Sequence, residues 1–195
     1  MSEVAPRTLP IIQLPYTGNY ALRVSPGPTD PISDIPVFID YPHHQLHEGE
    51  TWQYFYGPIA MLQNAVVNLR VVVANVIATT RTPHVVAEVD STGEVWLEIF
   101  EAPTTSAPGT AAAFYNRNRN TAGSPTTTIF TAPTVTVDGT KLSGWIIGSG
   151  QKAGNATKES VEWDLKSNTT YLYRLTAQGA LNVCFRLLQY EDKGV

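Results

Sequence analysis

Residues 170–190 read TYLYRLTAQGALNVCFRLLQY, and this stretch decides the fold. Apolar and polar residues alternate over 170–176 and again over 182–190, on either side of Gln178-Gly179-Ala180. Alternation puts Tyr171, Tyr173 and Leu175 on one face, and Leu172, Arg174 and Thr176 on the other. A period of two is the signature of a half-buried strand. Two such runs joined by a short glycine turn predict an antiparallel hairpin.

The same pattern extends upstream. Strand-like runs occur at 51–56, 65–74, 84–89, 94–100, 112–118, 127–130, 134–137, 142–148 and 160–165. Turn residues separate them: Ser91-Thr92-Gly93, Ala107-Pro108-Gly109, Asp138-Gly139 and the glycine-rich 148–154. Asp138-Gly139 between two such runs is a hairpin signal. Only 59–69 could be read as a helix, and no clean internal repeat stands out. Short, evenly spaced strands predict an all-β fold, an antiparallel β-sandwich of jelly-roll type.

The first 47 residues differ from the rest. Eight of the 14 prolines fall in this segment, from Pro6 to Pro42. Proline removes amide donors and fixes φ, which excludes a central strand or a long helix. The predicted organisation is an extended arm over 1–47 and a sandwich over 48–195. The arm carries Ile11, Ile12, Leu14, Tyr16 and Tyr20, more large apolar side chains than a free polar tail would hold. These five are the residues expected to lie against a neighbouring subunit.

Composition narrows the function classes. Charged residues make up 15% of the 195-residue chain, below the usual quarter, and the net charge is −4. An acidic balance argues against nucleic acid as the main partner. The longest apolar run, around 71–76, is far shorter than a membrane span, and the N-terminus lacks a basic and apolar secretory pattern. A single cysteine, Cys184, excludes an internal disulfide and is expected to sit buried as a small hydrophobe.

Candidate chemistry is sparse. His43-His44-Gln45-Leu46-His47-Glu48 is the one cluster with metal-ligand residue types. On a helix, an i, i+4 histidine pair would aim two ligands at one ion, with Asp40 or Glu48 as further donors. The segment follows Pro42 and ends at Gly49, which argues against a helix. It reads as a polar hinge, and no metal or other cofactor is expected. Asn116-Arg117-Asn118-Arg119-Asn120 is compact and basic, and Arg117 and Arg119 are the expected polar partner contacts. Residues 148–154 lack the Gly-Lys-Ser/Thr close of a phosphate loop, and Ser149 lacks a nucleophile-elbow frame. Glu98 and Glu101 fall on opposite strand faces, so no paired-carboxylate site is indicated. No catalytic residue is expected. Trp52, Tyr54 and Tyr56 alternate on one strand, as core or interface or as a platform for stacking sugars. Trp96, Trp145 and Trp163 read as core.

Several short pieces carry a resemblance. In order these are Glu101-Ala102-Pro103 with its Thr/Ser/Gly-rich turn, the 116–120 run, Gly148-Ser149-Gly150, Glu162-Trp163, residues 168–174, and the closing Leu187-Leu188-Gln189-Tyr190-Glu191. Over residues 48–192 the chain resembles a group of tailed-bacteriophage virion structural proteins. The Pro-rich arm and the His43–His47 cluster depart from that pattern. The resemblance implies a non-enzymatic capsid decoration (cement, head auxiliary) sandwich on the capsid surface. Its expected partners are the major capsid protein and neighbouring copies of itself, as a homo-oligomer with a trimer suited to a symmetric lattice site. The alternative is a tail- or fibre-associated sandwich that binds a host glycan or another virion protein.

Overall fold

The computed structural model describes residues 41–75, 81–121, 123–148, 157–158 and 162–193. The arm residues Ile11, Ile12, Leu14, Tyr16 and Tyr20 lie outside them, as do Asp40 and residues 149–154. One short helix, α1 (Tyr41–Glu48), precedes the strands. Then come β1 (Thr51–Met61), β2 (Val66–Val73), β3 (Arg81–Ser91), β4 (Val95–Glu101), β5 (Thr104–Ala107), β6 (Thr110–Ala112) and β7 (Tyr115–Asn116). They are followed by β8 (Thr127–Thr131), β9 (Thr134–Val137), β10 (Thr140–Ile147), β11 (Thr157–Lys158), β12 (Trp163–Asp164), β13 (Thr170–Ala177) and β14 (Leu181–Lys193).

Two six-stranded antiparallel sheets face each other. The first runs β11-β3-β14-β1-β7, with β12 also on β3; the second runs β10-β4-β13-β2-β8-β6. Without the peripheral strands, β1-β14-β3-β12 faces β2-β13-β4-β10, which is jelly-roll order. The core is the inward row of each strand: Leu69, Val71, Val85, Val89, Leu97, Ile99, Tyr173, Leu175, Val183, Phe185 and Leu187, all buried.

The expected 170–190 hairpin does not form. β13 pairs with β2 and β4, whereas β14 pairs with β1 and β3. Residues 178–180 carry the chain from one sheet to the other, and the rings of Tyr173 and Phe185 meet across the core at 5.8 Å. The reason is burial. Each strand takes a central place in a different sheet, β13 between β2 and β4 and β14 between β1 and β3, so their strongly apolar inward rows face and cover one another. Alternation alone reports which residues point inward, and it is equally satisfied by pairing or facing.

Asp138-Gly139 is not a hairpin either, since β9 pairs with β5 and β10 with β4. The strand expected over 112–118 splits into β6 in the second sheet and β7 in the first. Residues 59–69 form the end of β1, a turn and the start of β2 rather than a helix. Conversely, 41–48 is helical: Pro42 occupies the first turn, where its missing N–H costs nothing. Gly49 closes the helix at φ 76°, and its N–H donates to Leu46 O at 3.2 Å. Among the described residues, no helix is long and apolar enough to cross a membrane.

Residues 102–139 are an insertion between the fourth and fifth core strands, and they contain a repeat. Ala102, Pro103, Thr104, Gly109 and Thr110 recur as Ala132, Pro133, Thr134, Gly139 and Thr140. Ala102 and Ala132 share positive φ (56° and 51°), as do Gly109 and Gly139 (89° and 86°). Each left-handed alanine turns the chain out of its strand, and β5 and β9 then pair in the order Thr104–Val137, Thr105–Val135, Ala107–Thr134. Exchanging the two repeats maps this ladder onto itself. A Cβ on Gly109 would strike Thr131 O, and one on Gly139 would strike Glu101 O, the matching atom. A local two-fold axis therefore passes through the Thr105–Val135 pair.

The β5–β9 ribbon roofs the second sheet. It leaves β4 at Glu101 and reaches β6 beyond β8, crossing over β13 and β2 on the face away from the core. Beneath it one row of the sheet reads Lys141, Phe100, Leu172, Arg70, Phe130, Ala111. Phe100 and Leu172 point outward by alternation, yet they are 6% and 0% exposed. Asp138 fastens the ribbon, accepting from both terminal nitrogens of Arg174 at 2.7 and 2.5 Å. Arg174 also lies 5.2 Å over the Phe100 ring, and Arg70 lies 5.1 Å over Phe130.

Candidate interaction surface

The tip of the insertion reaches the other sheet. There β7 adds to the edge of β1, with Asn116 opposite Trp52 and Tyr115 opposite Gln53. The 116–120 run divides its labour by residue type. Asn116 is buried, and its Nδ2 donates to Gly49 O at 2.7 Å. Its Oδ1 accepts from Asn118 N–H at 2.8 Å, and Asn118 Oδ1 accepts from Asn120 N–H at 3.1 Å. These successive Asx turns fix the loop. Asn118 Nδ2 also donates to His47 O at 3.1 Å, which ties the loop to α1.

Trp52 completes the support. It is 1% exposed, and its indole N–H donates to Gly123 O at 3.2 Å. Thr121 packs where any side chain at position 49 would stand, so only glycine fits there.

With the asparagines turned inward, Arg117 and Arg119 project to solvent. Arg117 donates its backbone N–H to Thr51 O at 2.9 Å, and Arg119 Nη1 reaches Asn116 O at 3.4 Å. Among the described residues, neither guanidinium has a carboxylate partner. Phe55 and Tyr115 stand beside them, 46% and 59% exposed. Gln53, Phe55, Tyr115, Asn116, Arg117 and Arg119 line an open hollow of about 360 Å³. Aromatic rings and arginines on a rigid backbone are the side chains that dominate binding hot spots.

Other expected contacts move. Trp52 and Tyr54 are core residues, 1% and 3% exposed, so neither is a surface for stacking sugars. Burial pushes the Tyr54 hydroxyl well above its ordinary pKa, and the neighbouring Tyr56 adds to the shift. Trp96, expected in the core, is instead 40% exposed on the outer face of β4, beside Ile146 at 61%. The reason is phase: Val95, Leu97 and Ile99 take the inward positions, which leaves Trp96 outside. Its indole N–H donates to Glu94 at 3.1 Å. Trp145 and Trp163 are partly buried against the core. Cys184 is only partly buried, on the outer row of β14 beneath the Gly57 bulge of β1. Glu98 and Glu101 are each taken by a lysine, Lys141 at 2.7 Å and Lys166 at 2.8 Å.

A buried polar knot between the sheets is absent from the sequence expectations. Glu191, 0% exposed on β14, accepts through Oε1 from Thr126 N–H at 2.5 Å, Thr126 Oγ1 at 2.9 Å and Gln189 Nε2 at 2.7 Å. Thr126 leads into β8, so the carboxylate joins the two layers through charge-assisted bonds. The even spacing of Gln189 and Glu191 on one strand face was the available signal. Among the described residues, no group of three or more His, Cys, Asp or Glu converges as a metal set. Comparison with protein-family models, curated proteins and solved structures returns no match to this chain.

Proposed function

We propose that this protein is a non-enzymatic assembly component of a tailed-phage virion, a decoration sandwich that binds an assembled head lattice. The observation that carries the binding reading is the Phe55–Tyr115–Arg117–Arg119 surface: exposed rings on β1 and β7 beside two guanidinium groups that have no carboxylate partner among the described residues, on a loop fixed by Asn116 and Asn118. A pre-ordered loop loses little entropy on binding, so its contacts convert efficiently into affinity. The resemblance over residues 48–192 supports the head lattice as the partner, and repeated copies on a symmetric shell multiply a modest contact.

The test is co-sedimentation of the full chain with undecorated heads of its own phage. Arg117→Ala/Arg119→Ala is expected to weaken binding at least about tenfold, while Lys166→Ala, an exposed lysine paired with Glu101 outside the hollows on both sheets, leaves it unchanged. Equal binding by the double variant removes this surface from the reading; absence of binding by the wild type removes the head lattice.

A second reading has its own observation. Trp96, Glu98, Lys141, Gly144 and Ile146 border a hollow of about 480 Å³ on the outer face of the second sheet. A fixed indole beside paired polar groups suits a tail- or fibre-associated sandwich that grips a glycan. Glycan-array binding abolished by Trp96→Ala would favour it, and an array with no signal would end it.

A further inference from the structure

His43 and His47 stand four residues apart on α1, on one face of the helix. Their Nε2 atoms approach to 2.9 Å, with ring centroids 4.8 Å apart and ring planes at 56°. Both side chains face solvent. We propose that this pair is a chelating site for a borderline divalent transition metal, Zn²⁺, Ni²⁺ or Cu²⁺.

The geometry suits the chemistry. Two imidazole nitrogens bound tetrahedrally at ~2.0–2.1 Å from zinc lie ~3.3 Å apart, so the ion replaces the shared proton of the Nε2–Nε2 contact once the nitrogens separate by a few tenths of an ångström. Both rings then turn their Nε2 lone pairs toward it, and each keeps its proton on Nδ1. Soft or borderline metals take imidazole, whereas magnesium and calcium prefer oxygen donors.

The backbone beneath the site is braced. Asn118 Nδ2 holds His47 O, Glu50 N–H donates to Gln45 O at 2.9 Å, and Gln45 is buried. A helix held at its C-terminal end keeps both rings on one side without ordering cost at the moment of binding. His44 is not part of the pair: it faces Glu48, 3.9 Å away on a different side of the helix. Water completes the coordination. The site adjoins the Arg117–Arg119 loop through Asn118, but it does not rest on the function proposed for that loop.

The test is calorimetric titration of the chelator-treated full chain with ZnCl₂ and with NiCl₂. The expected result is one ion bound per chain, with affinity at least about tenfold lower in His43→Asn and in His47→Asn and unchanged in His44→Asn. Circular dichroism confirms that each variant keeps its fold, and electron paramagnetic resonance of the Cu²⁺ form is expected to show two nitrogen donors. Wild-type protein that binds no metal below millimolar concentration overturns the proposal. So does unchanged affinity in His43→Asn, or an equal loss in His44→Asn.

Discussion

Leu172→Ala separates a roofed sheet from an open one. Leu172 sits on the outward row of β13, opposite Phe100 and Arg70, where an uncovered sheet would leave it in water. It is instead 0% exposed. Truncation removes three carbons, which at ~0.8 kcal/mol per buried methylene forfeits about 2.4 kcal/mol. The unfilled space beneath the ribbon adds a cavity term, for a total of roughly 3–5 kcal/mol. Ile146→Ala is the control on the same face; at 61% exposure it should cost no more than about 0.5–1 kcal/mol. The assay is urea unfolding followed by tryptophan fluorescence and by circular dichroism, whose coincidence establishes a single transition. The mechanism makes a second demand. Asp138→Ala unhooks the ribbon from Arg174, so in that background Leu172→Ala should cost at least about 1 kcal/mol less than in the wild type. A Leu172→Ala cost below about 1 kcal/mol, or strict additivity with Asp138→Ala, would refute the roof.

Two further outcomes follow from the same ribbon. Gly109→Ala and Gly139→Ala should each destabilise by at least ~1–2 kcal/mol in urea unfolding, because both positions are left-handed and meet a carbonyl oxygen of the other repeat. The two-fold relation requires the two costs to agree within about 0.5 kcal/mol, and one neutral substitution would break it. Hydrogen bonds from Arg174 hold the Asp138 carboxyl below its ordinary 3.8. A depressed carboxyl stabilises above the unfolded-state value and stops doing so as pH falls through the folded one. Asp138 is nearly half exposed, so screening limits the effect to ~0.5–1.5 kcal/mol. Urea midpoints of wild type and Asp138→Asn should therefore differ at pH 7 and draw together as pH falls below about 3.8; a gap of unchanged size from pH 7 down to pH 2.5 contradicts the pair.

Period-two patterning read the inward faces correctly because burial acts on single residues. Tyr171, Tyr173, Leu175, Val183, Phe185 and Leu187 all line the core, and an all-β sandwich follows from enough such strands. Pairing was not legible, since a strand carries no label for its neighbour. The Gln178-Gly179-Ala180 turn fits a hairpin and a sheet-to-sheet arch equally well, and what separates them is the long-range choice of neighbours, β2 and β4 for β13 and β1 and β3 for β14. The Ala-Pro-Thr repeat is faint in the sequence because few positions beyond its turns recur. Its chemistry lies in the φ of Ala102 and Ala132, which no composition reports. At the candidate surface, Arg117 and Arg119 were visible as a basic pair. Their freedom from carboxylates among the described residues was not, because it depends on Asn116 and Asn118 turning inward. Trp52 lies in the core, as the core reading of its strand has it, whereas Trp96 leaves the core for a related reason: an aromatic side chain in a strand is core or surface by phase alone.

The insertion accounts for where a partner can bind. On the second sheet it spends its length covering Phe100 and Leu172, which leaves the Trp96–Ile146 shelf exposed, with Val66 further along the same row. On the first sheet the outer row opposite the core is already occupied by charge: Arg186 lies between Phe55 and Glu88 and pairs with Glu88 at 3.3 Å and Asp90 at 2.5 Å. An internally neutralised row offers a partner little, because its charges must be desolvated without new gain. Arg117 and Arg119 differ in that respect. Among the described residues no carboxylate pairs with them, rings beside them supply apolar area, and the asparagine turns have already ordered their backbone. If binding were governed by charge alone, adding salt would abolish it in wild type and in Phe55→Ala alike. A contact built as the geometry suggests should keep a salt-resistant part that depends on Phe55 and Tyr115, since screening weakens the guanidinium contribution and leaves the buried apolar area intact.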